Sequence, residues 1–201
     1  KLLPFQKSDF KGILSAMSPY PVTIRLLDPP LHEFMNLNEK QIKEVAEELS
    51  VPLEKVKNKI ETLHESNPML GNRGCRLGIS YPEITNMQAR AIFEATAELV
   101  KSGIKALPEV MVPFVGNFAE LDHQRKIIID IAIEIQNKMN IKLEYQIGTM
   151  IEIPRACITA DELAKSADFF SFGTNDLTQM TYGYSRDDVN GFLSLYIENS
   201  I

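Results

Sequence analysis

The chain has 201 residues, with 44% hydrophobic and 24% charged residues and a net charge of −6. This composition is typical of a globular protein and provides for one domain or part of a larger one. The acidic balance argues against a general nucleic-acid binder, and no apolar run of about 18 residues indicates a transmembrane helix. The N-terminal segment lacks the apolar core of a signal peptide, and the two cysteines are expected to be reduced. Together they indicate an intracellular protein, cytoplasmic or organellar.

Hydrophobic periodicity and turn residues predict a regular series of elements. In chain order these are a strand at 22–27, helices at 38–49 and 52–64, a short strand near 75–79, a helix from 85 to about 102, a strand at 110–115, a helix at 118–139, a strand at 144–153, a short helix from 159 and a strand at 169–173. Capping-box pairs predict three of the helix starts, at Asn38, Thr85 and Thr159, and Asn117 is predicted to cap a fourth helix. The charged helix pair forms an excursion at about 36–66.

The alternation of strands and helices predicts parallel strands joined by crossovers. The strands are apolar on both faces, as expected when helices cover one side and a barrel interior the other. The predicted fold class is therefore α/β, a partial (β/α)8 barrel that spans residues 1–201 as one incomplete domain. A complete barrel needs about 250 residues. With roughly five strands in view, the first and last strands are expected to be missing from this chain.

Two carboxylates follow neighbouring predicted strands: Glu152 near the end of one, and Asp176 just past the next. Residues at the carboxyl ends of barrel strands form the active site in this architecture. Two acids there can share a Mg²⁺ ion with substrate oxygens. The alternative is structural, with Glu152 paired to Arg155 and Asp176 capping a helix at Leu177.

Gly173, Thr174 and Asn175 come directly before Asp176. Glycine allows a backbone to approach a ligand closely, and successive N–H groups in a turn can bind an anion. The alternative is an ordinary strand-to-helix turn in which Thr174 or Asn175 caps the next helix.

Three arginines are candidates for anion binding. Arg25 lies in a hydrophobic strand, where it needs a carboxylate such as Asp28 or an anionic ligand. Arg73 and Arg76 lie in a glycine-rich loop, and a guanidinium group can bind phosphate or carboxylate through two parallel hydrogen bonds. Arg76 is predicted to be solvated.

The histidines and cysteines are given no chemical role. His32, His64 and His123 are scattered and predicted to lie on the surface, while Cys75 and Cys157 are predicted to be small core residues. No phosphate-binding loop, dinucleotide fingerprint or serine triad is present.

Four segments carry a resemblance to a known family. They are TIRLLDPPLHEF (23–34), NPMLGNRGCRLGISYPEI (67–84), PEVMVPFVG (108–116) and the long run from QIGTMIEIPRA to FGTNDLTQMTYGYSRDD (146–188). Over essentially its whole length, the chain closely resembles the C-terminal phosphoenolpyruvate/pyruvate-binding domain of the pyruvate phosphate dikinase family. Phosphoenolpyruvate synthases and phosphotransferase-system enzyme I share the NP-x-LG-x-RG-like loop and the FGTNDLTQ-like end but not DPPLHEF, which favours the dikinases.

The resemblance implies an ATP-using phosphotransferase, cytoplasmic and homodimeric in its full-length form. It interconverts ATP, phosphate and pyruvate with AMP, pyrophosphate and phosphoenolpyruvate. A swivelling phosphohistidine domain carries the phosphoryl group to this barrel, and neither nucleic acid nor a membrane is a partner. The resemblance implies that Glu152 and Asp176 bind Mg²⁺ and that Arg25 binds the transferred phosphoryl group. The implied substrate-binding residues are Arg25, Arg73, Glu152, Gly173, Thr174, Asn175 and Asp176, with Met150 packed beside them.

Several family features have no counterpart in the chain. The nucleotide-binding and phosphohistidine domains, an early strand with a G-x-x-R-T-E-like motif and a final GICGE-like segment with a proton-transferring cysteine are absent, and Cys75 and Cys157 do not match that motif. We therefore expect no turnover by these 201 residues alone. The unpaired strand edges of a partial barrel predict self-association or marginal stability. The alternatives are a phosphoenolpyruvate synthase-type enzyme and a non-catalytic fragment or paralogue that acts in assembly.

Overall fold

The computed structural model describes residues 1–201 except for the side chain of His32, so the surface position predicted for that histidine lies outside the described residues. Within this described part, the strands are Pro21–Arg25 (β1), Leu107–Val112 (β2), Gln146–Ile151 (β3) and Phe170–Phe172 (β4). The α-helices are Leu3–Met17 (α1), Glu39–Leu49 (α2), Leu53–Leu63 (α3), Cys75–Ser80 (α4), Pro82–Lys101 (α5), Phe118–Met139 (α6), Pro154–Ile158 (α7), Ala160–Leu163 (α8), Thr174–Tyr182 (α9) and Leu193–Glu198 (α10).

The four described strands form one parallel sheet in the order β1-β2-β3-β4. Ile24 pairs with Val110, Val110 with Ile147, and Thr149 with Phe170. Helices lie between successive strands, as in a (β/α)8 barrel. The predicted α/β class and partial-barrel architecture are therefore confirmed, with one difference in strand number.

The core lies between the sheet and the helices α5 and α6. Alternate strand residues point into it because successive side chains of a strand face opposite sides. On α6, Ile128, Ile131 and Ile135 form a stripe of buried isoleucines, while Ile127 packs against the core at its edge. The principal core side chains are Ile24, Ile92, Phe93, Val110, Val112, Leu121, Ile128, Ile135, Ile147 and Ile151.

Two predictions for residues 67–88 were wrong. The short strand predicted near 75–79 is helix α4, so the sheet has four described strands rather than five. Helix α5 begins at Pro82, and neither member of the predicted capping pair caps it. Thr85 donates instead to Gln124 Oε1 at 2.7 Å, and Gln88 Oε1 accepts the N–H of Leu27 at 2.8 Å. The side chains of Thr85 and Gln88 therefore bind residues distant in sequence instead of capping the helix.

The other helix starts follow the sequence more closely. Helices α2 and α6 begin at capping boxes built on Asn38 and Asn117, as expected for asparagine before a helical segment. Thr159 precedes α8, but its hydroxyl donates to the carbonyl of Arg155 at 3.0 Å rather than capping the helix. In the excursion formed by α2 and α3, Ala46 is the one buried residue described.

Candidate functional site

The predicted site residues lie at the carboxyl ends of the strands. Arg25 is the last residue of β1, Glu152 directly follows β3, and Asp176 lies in the first turn of α9, which follows β4. Arg73 reaches the same place from the loop before α4. Parallel pairing brings these ends to one edge of the sheet, which is why residues distant in sequence meet there.

Arg73 links two carboxylates. Its Nε and Nη2 atoms lie 3.2 Å and 2.6 Å from the two oxygens of Asp28, and its Nη1 lies 3.0 Å from Asp176 Oδ1. The Arg73 side chain is only 11% exposed. Burial lowers the pKa of Arg73, but the ion pairs with Asp28 and Asp176 outweigh it and hold the pKa above its usual value. The paired hydrogen bonds fix the plane of the guanidinium group.

Glu152 is a buried carboxyl group at the centre of the site, with 1% of its surface exposed. Its Oε1 accepts the backbone N–H of Phe114 at 2.6 Å. Burial raises the pKa of Glu152 to about 7, the Phe114 N–H opposes that shift, and the nearby negative charges of Asp28 and Asp176 add to it. Burial and the neighbouring carboxylates therefore favour the protonated form of this carboxyl group more than solvent would. The alternative pairing with Arg155 is not the contact that the structure gives Glu152.

Gly173 places the end of β4 against this carboxyl group. Its N–H donates to Ile151 O at 3.0 Å, and a Cβ added to Gly173 would lie 2.5 Å from Glu152 Oε2 and 2.9 Å from Met150 Sδ. Only glycine allows so close an approach. Thr174 and Asn175 follow at the exposed start of α9, where Gly173 is the N-cap residue and makes no side-chain cap.

Arg25 differs from Arg73 in exposure. Its Nη1 lies 3.5 Å from Asp28 Oδ2, and 47% of its side chain is exposed. Asp28, the carboxylate partner predicted for Arg25, therefore forms a loose ion pair with it, and the rest of the guanidinium group faces solvent. Arg76 was predicted to be solvated, but it donates to the carbonyls of Leu70 and Gly71 and lies over the Phe114 ring.

The donor set fits a hard cation such as Mg²⁺. Carboxylate oxygens are its preferred ligands, and it often takes one or two carboxylates and completes its shell with water and substrate oxygens. A divalent charge would offset the repulsion among Asp28, Glu152 and Asp176 that adds to the raised pKa of Glu152. Apart from the undescribed His32 side chain, no three His, Cys, Asp or Glu side chains form a group that could hold a metal ion.

Sequence reasoning missed one residue and misplaced another. Phe114 contacts both Glu152 and Arg73 but was assigned no role from the sequence. It lies in the segment PEVMVPFVG and was predicted to belong to a strand at 110–115, whereas β2 ends at Val112. Cys157 is exposed rather than in the core, whereas Cys75 is buried as predicted. Burial raises the pKa of the Cys75 thiol to about 12.

Comparison with known proteins agrees with this arrangement. Residues 3–199 match the family model described as PEP-utilising enzyme, PEP-binding domain. The chain belongs to this family. Among its relatives, this PEP-binding domain is 57% identical to pyruvate, phosphate dikinase 1, chloroplastic, of Arabidopsis thaliana and 55% identical to pyruvate, phosphate dikinase, chloroplastic, of Flaveria trinervia. It is 54% identical to pyruvate, phosphate dikinase of Rhizobium meliloti (strain 1021).

These alignments cover 100% of the chain but only 21–22% of each relative. The PEP-binding domain described here thus spans about a fifth of the length of those curated relatives. Within the described residues, none of its helices is both long enough and apolar enough to cross a membrane.

Proposed function

We propose that this chain is the phosphoenolpyruvate- and pyruvate-binding part of a pyruvate phosphate dikinase. The whole enzyme would interconvert ATP, phosphate and pyruvate with AMP, pyrophosphate and phosphoenolpyruvate. The observation that carries the proposal is the convergence of Glu152, Asp176 and Arg73 at the strand ends. These residues belong to a chain that is, over the whole of its own 201 residues, 55% identical to part of a dikinase.

The residues divide into cation-binding and anion-binding groups. Glu152 and Asp176 would hold Mg²⁺, which supplies positive charge to offset the negative charge that develops on the pyruvate carboxylate and enolate oxygens. The exposed face of Arg25 would bind the phosphoryl group and neutralise its oxygens during transfer. Gly173, Thr174 and Asn175 would line the substrate, with Met150 beside it.

Arg73 would act mainly by fixing carboxylates. Because two carboxylates already bind its buried guanidinium group, it has less surface than Arg25 for a substrate anion. Its part would be to hold Asp176 at one side of the site and Asp28 at the other.

The remaining parts of the reaction would lie outside this chain. A phosphohistidine domain of the same full-length enzyme would deliver the phosphoryl group, and a nucleotide-binding domain would use ATP. We further propose that the full-length enzyme is a homodimer in the cytoplasm or an organelle, and that residues 1–201 form one incomplete barrel domain with a helical excursion at about 36–66.

Calorimetry with oxalate, a planar mimic of the pyruvate enolate, tests the proposal. We expect the chain to bind oxalate only when Mg²⁺ is present. Glu152→Gln should weaken that binding at least tenfold because it removes a negatively charged oxygen ligand. Glu134→Gln is the matched control, since Glu134 pairs with Arg90 on the helix surface. Equal affinity of the Glu152→Gln variant and the wild type would refute the assignment of Glu152.

A further inference from the structure

Phe114 has an unusual backbone at the centre of the site. It follows β2 with φ of +60°, a left-handed conformation that a bulky residue rarely adopts, and only 1% of it is exposed. Such a conformation persists only where the surrounding structure holds it, and it is concentrated at functional sites. The contacts of its main chain and ring therefore need an explanation.

The main chain of Phe114 is held from two sides. Its N–H donates to Glu152 Oε1 at 2.6 Å, and its carbonyl accepts the Cys75 thiol at 3.1 Å. The preceding carbonyl, of Pro113, accepts the N–H of Cys75 at 2.9 Å. The left-handed turn thus aims an N–H group at the buried carboxyl group while α4 fixes the other side of the residue.

The ring of Phe114 supports the second carboxylate through Arg73. The Arg73 guanidinium carbon lies 4.3 Å from the ring centroid, and Arg76 lies 4.8 Å from it. Arg73 in turn contacts Asp176 at 3.0 Å. A guanidinium group is attracted to an aromatic face by the ring quadrupole, so the ring limits where Arg73 can hold Asp176.

We propose that Phe114 is the positioning residue that sets the separation of Glu152 and Asp176, an inference that rests on the proposed function of the site. It holds Glu152 directly through its N–H, and Asp176 through its ring and Arg73. Two carboxylates that share one cation must be kept together against their mutual repulsion. Phe114 would keep them together because it contacts Glu152 and also Arg73, the residue that binds Asp176.

Two substitutions separate the ring from the main chain. Phe114→Leu keeps the N–H and most of the volume but loses the aromatic face, and a ring-fluorinated phenylalanine at the same position keeps the shape while weakening the quadrupole. We expect Phe114→Leu to weaken Mg²⁺-dependent oxalate binding about tenfold, or about 1.4 kcal/mol, and the fluorinated variant to weaken it by a smaller factor. Phe93→Leu is the control, because Phe93 is equally buried but packs against Tyr145. It should leave oxalate affinity unchanged.

A double-mutant cycle shows whether the ring acts through Arg73. In an Arg73→Lys background, which keeps the charge but loses the planar group, Phe114→Leu should weaken oxalate binding by less than about twofold. When the free energy of unfolding is measured with urea and without Mg²⁺ for the same four proteins, the effects of Phe114→Leu and Arg73→Lys should again be non-additive. Full additivity, or wild-type affinity in both Phe114 variants, would overturn the inference and leave the proposed function standing. A wild-type chain that binds no oxalate with Mg²⁺ would overturn both.

Discussion

Gly74 is a residue at which a single added carbon should disturb both the backbone and the site. It has φ of +56° and ψ of −132°, and its N–H donates to Asp28 O at 2.9 Å. A Cβ placed there would lie 2.5 Å from Phe114 Cβ and 2.9 Å from Pro113 O. Both neighbours belong to the segment after β2 that positions Glu152, so they cannot move without disturbing the site.

The cost of Gly74→Ala follows from these two effects. The backbone conformation, which favours glycine strongly, adds about 1–3 kcal/mol for alanine. The overlap adds about 1–3 kcal/mol, because carbon atoms prefer a separation of about 3.5–4.0 Å. We therefore expect the free energy of unfolding to fall by about 4 kcal/mol. With a urea dependence of about 2 kcal/mol per molar, the unfolding midpoint should fall by about 2 M.

Circular dichroism during urea titration measures this change, and two other glycines provide controls. Gly103 has φ of +82° but nothing within 4 Å of an added Cβ, so Gly103→Ala should cost only about 1 kcal/mol. Gly12 lies within α1 with nothing within 4 Å, so Gly12→Ala should add about 0.5–1 kcal/mol of stability. If Gly74→Ala costs no more than Gly103→Ala, the close packing of Gly74 against Phe114 does not contribute, and the reasoning fails.

Three further predictions concern other parts of the chain. A thiol reagent at pH 8 should modify Cys157 rapidly and Cys75 only on unfolding, since Cys157 is exposed while burial raises the pKa of Cys75 to about 12; equal rates would contradict this. Glu98 accepts hydrogen bonds from Lys11 and Lys7, and these ion pairs hold its pKa below the usual value. Glu98→Gln should therefore lower the free energy of unfolding by about 0.5–1 kcal/mol at pH 7. That difference should shrink as pH falls below 4.5 and vanish below the lowered pKa of Glu98 in the folded protein, where the carboxylate is protonated in both states; a difference that stays constant over this acid titration would argue against the ion pair. Asn117→Ala should cost about 1 kcal/mol in urea unfolding because it removes the cap of α6, and no measurable loss would mean that tertiary contacts alone fix the helix start.

The elements that the sequence predicted best are those that local chemistry decides. Helix α6 has a capping asparagine and a long isoleucine stripe, and it forms at the predicted residues. The segment around Cys75 is different, because a run of six residues with a glycine inside it has weak local preference. Its helix starts where Gly74 adopts φ of +56° and the N–H of Cys75 meets Pro113 O. Those partners are distant in sequence, so periodicity could not reveal them.

The site divides in the same way. The placement of Glu152 and Asp176 at one edge of the sheet could be predicted, because parallel strands present their carboxyl ends together. The link between them could not. Arg73 crosses from another loop to reach Asp176, and its 103-residue separation from that partner leaves no pattern in the sequence. Phe114 was predicted to be an apolar residue of the strand at 110–115, because its residue type does not indicate the positive φ that it adopts.

Arg73 and Arg25 differ in how accessible they are to an anionic ligand. Arg73 is 11% exposed and is bound by two carboxylates, whereas Arg25 is 47% exposed and lies 3.5 Å from its nearest carboxylate oxygen. An anionic ligand would have to displace strong, buried ion pairs to bind Arg73, and removing one partner of such a pair costs about 3–5 kcal/mol. Binding to Arg25 needs no such displacement, because its guanidinium group already faces solvent. Under the proposed function, Arg25 would therefore be the arginine that binds a phosphoryl group, and Arg73 would hold Asp28 and Asp176 in place.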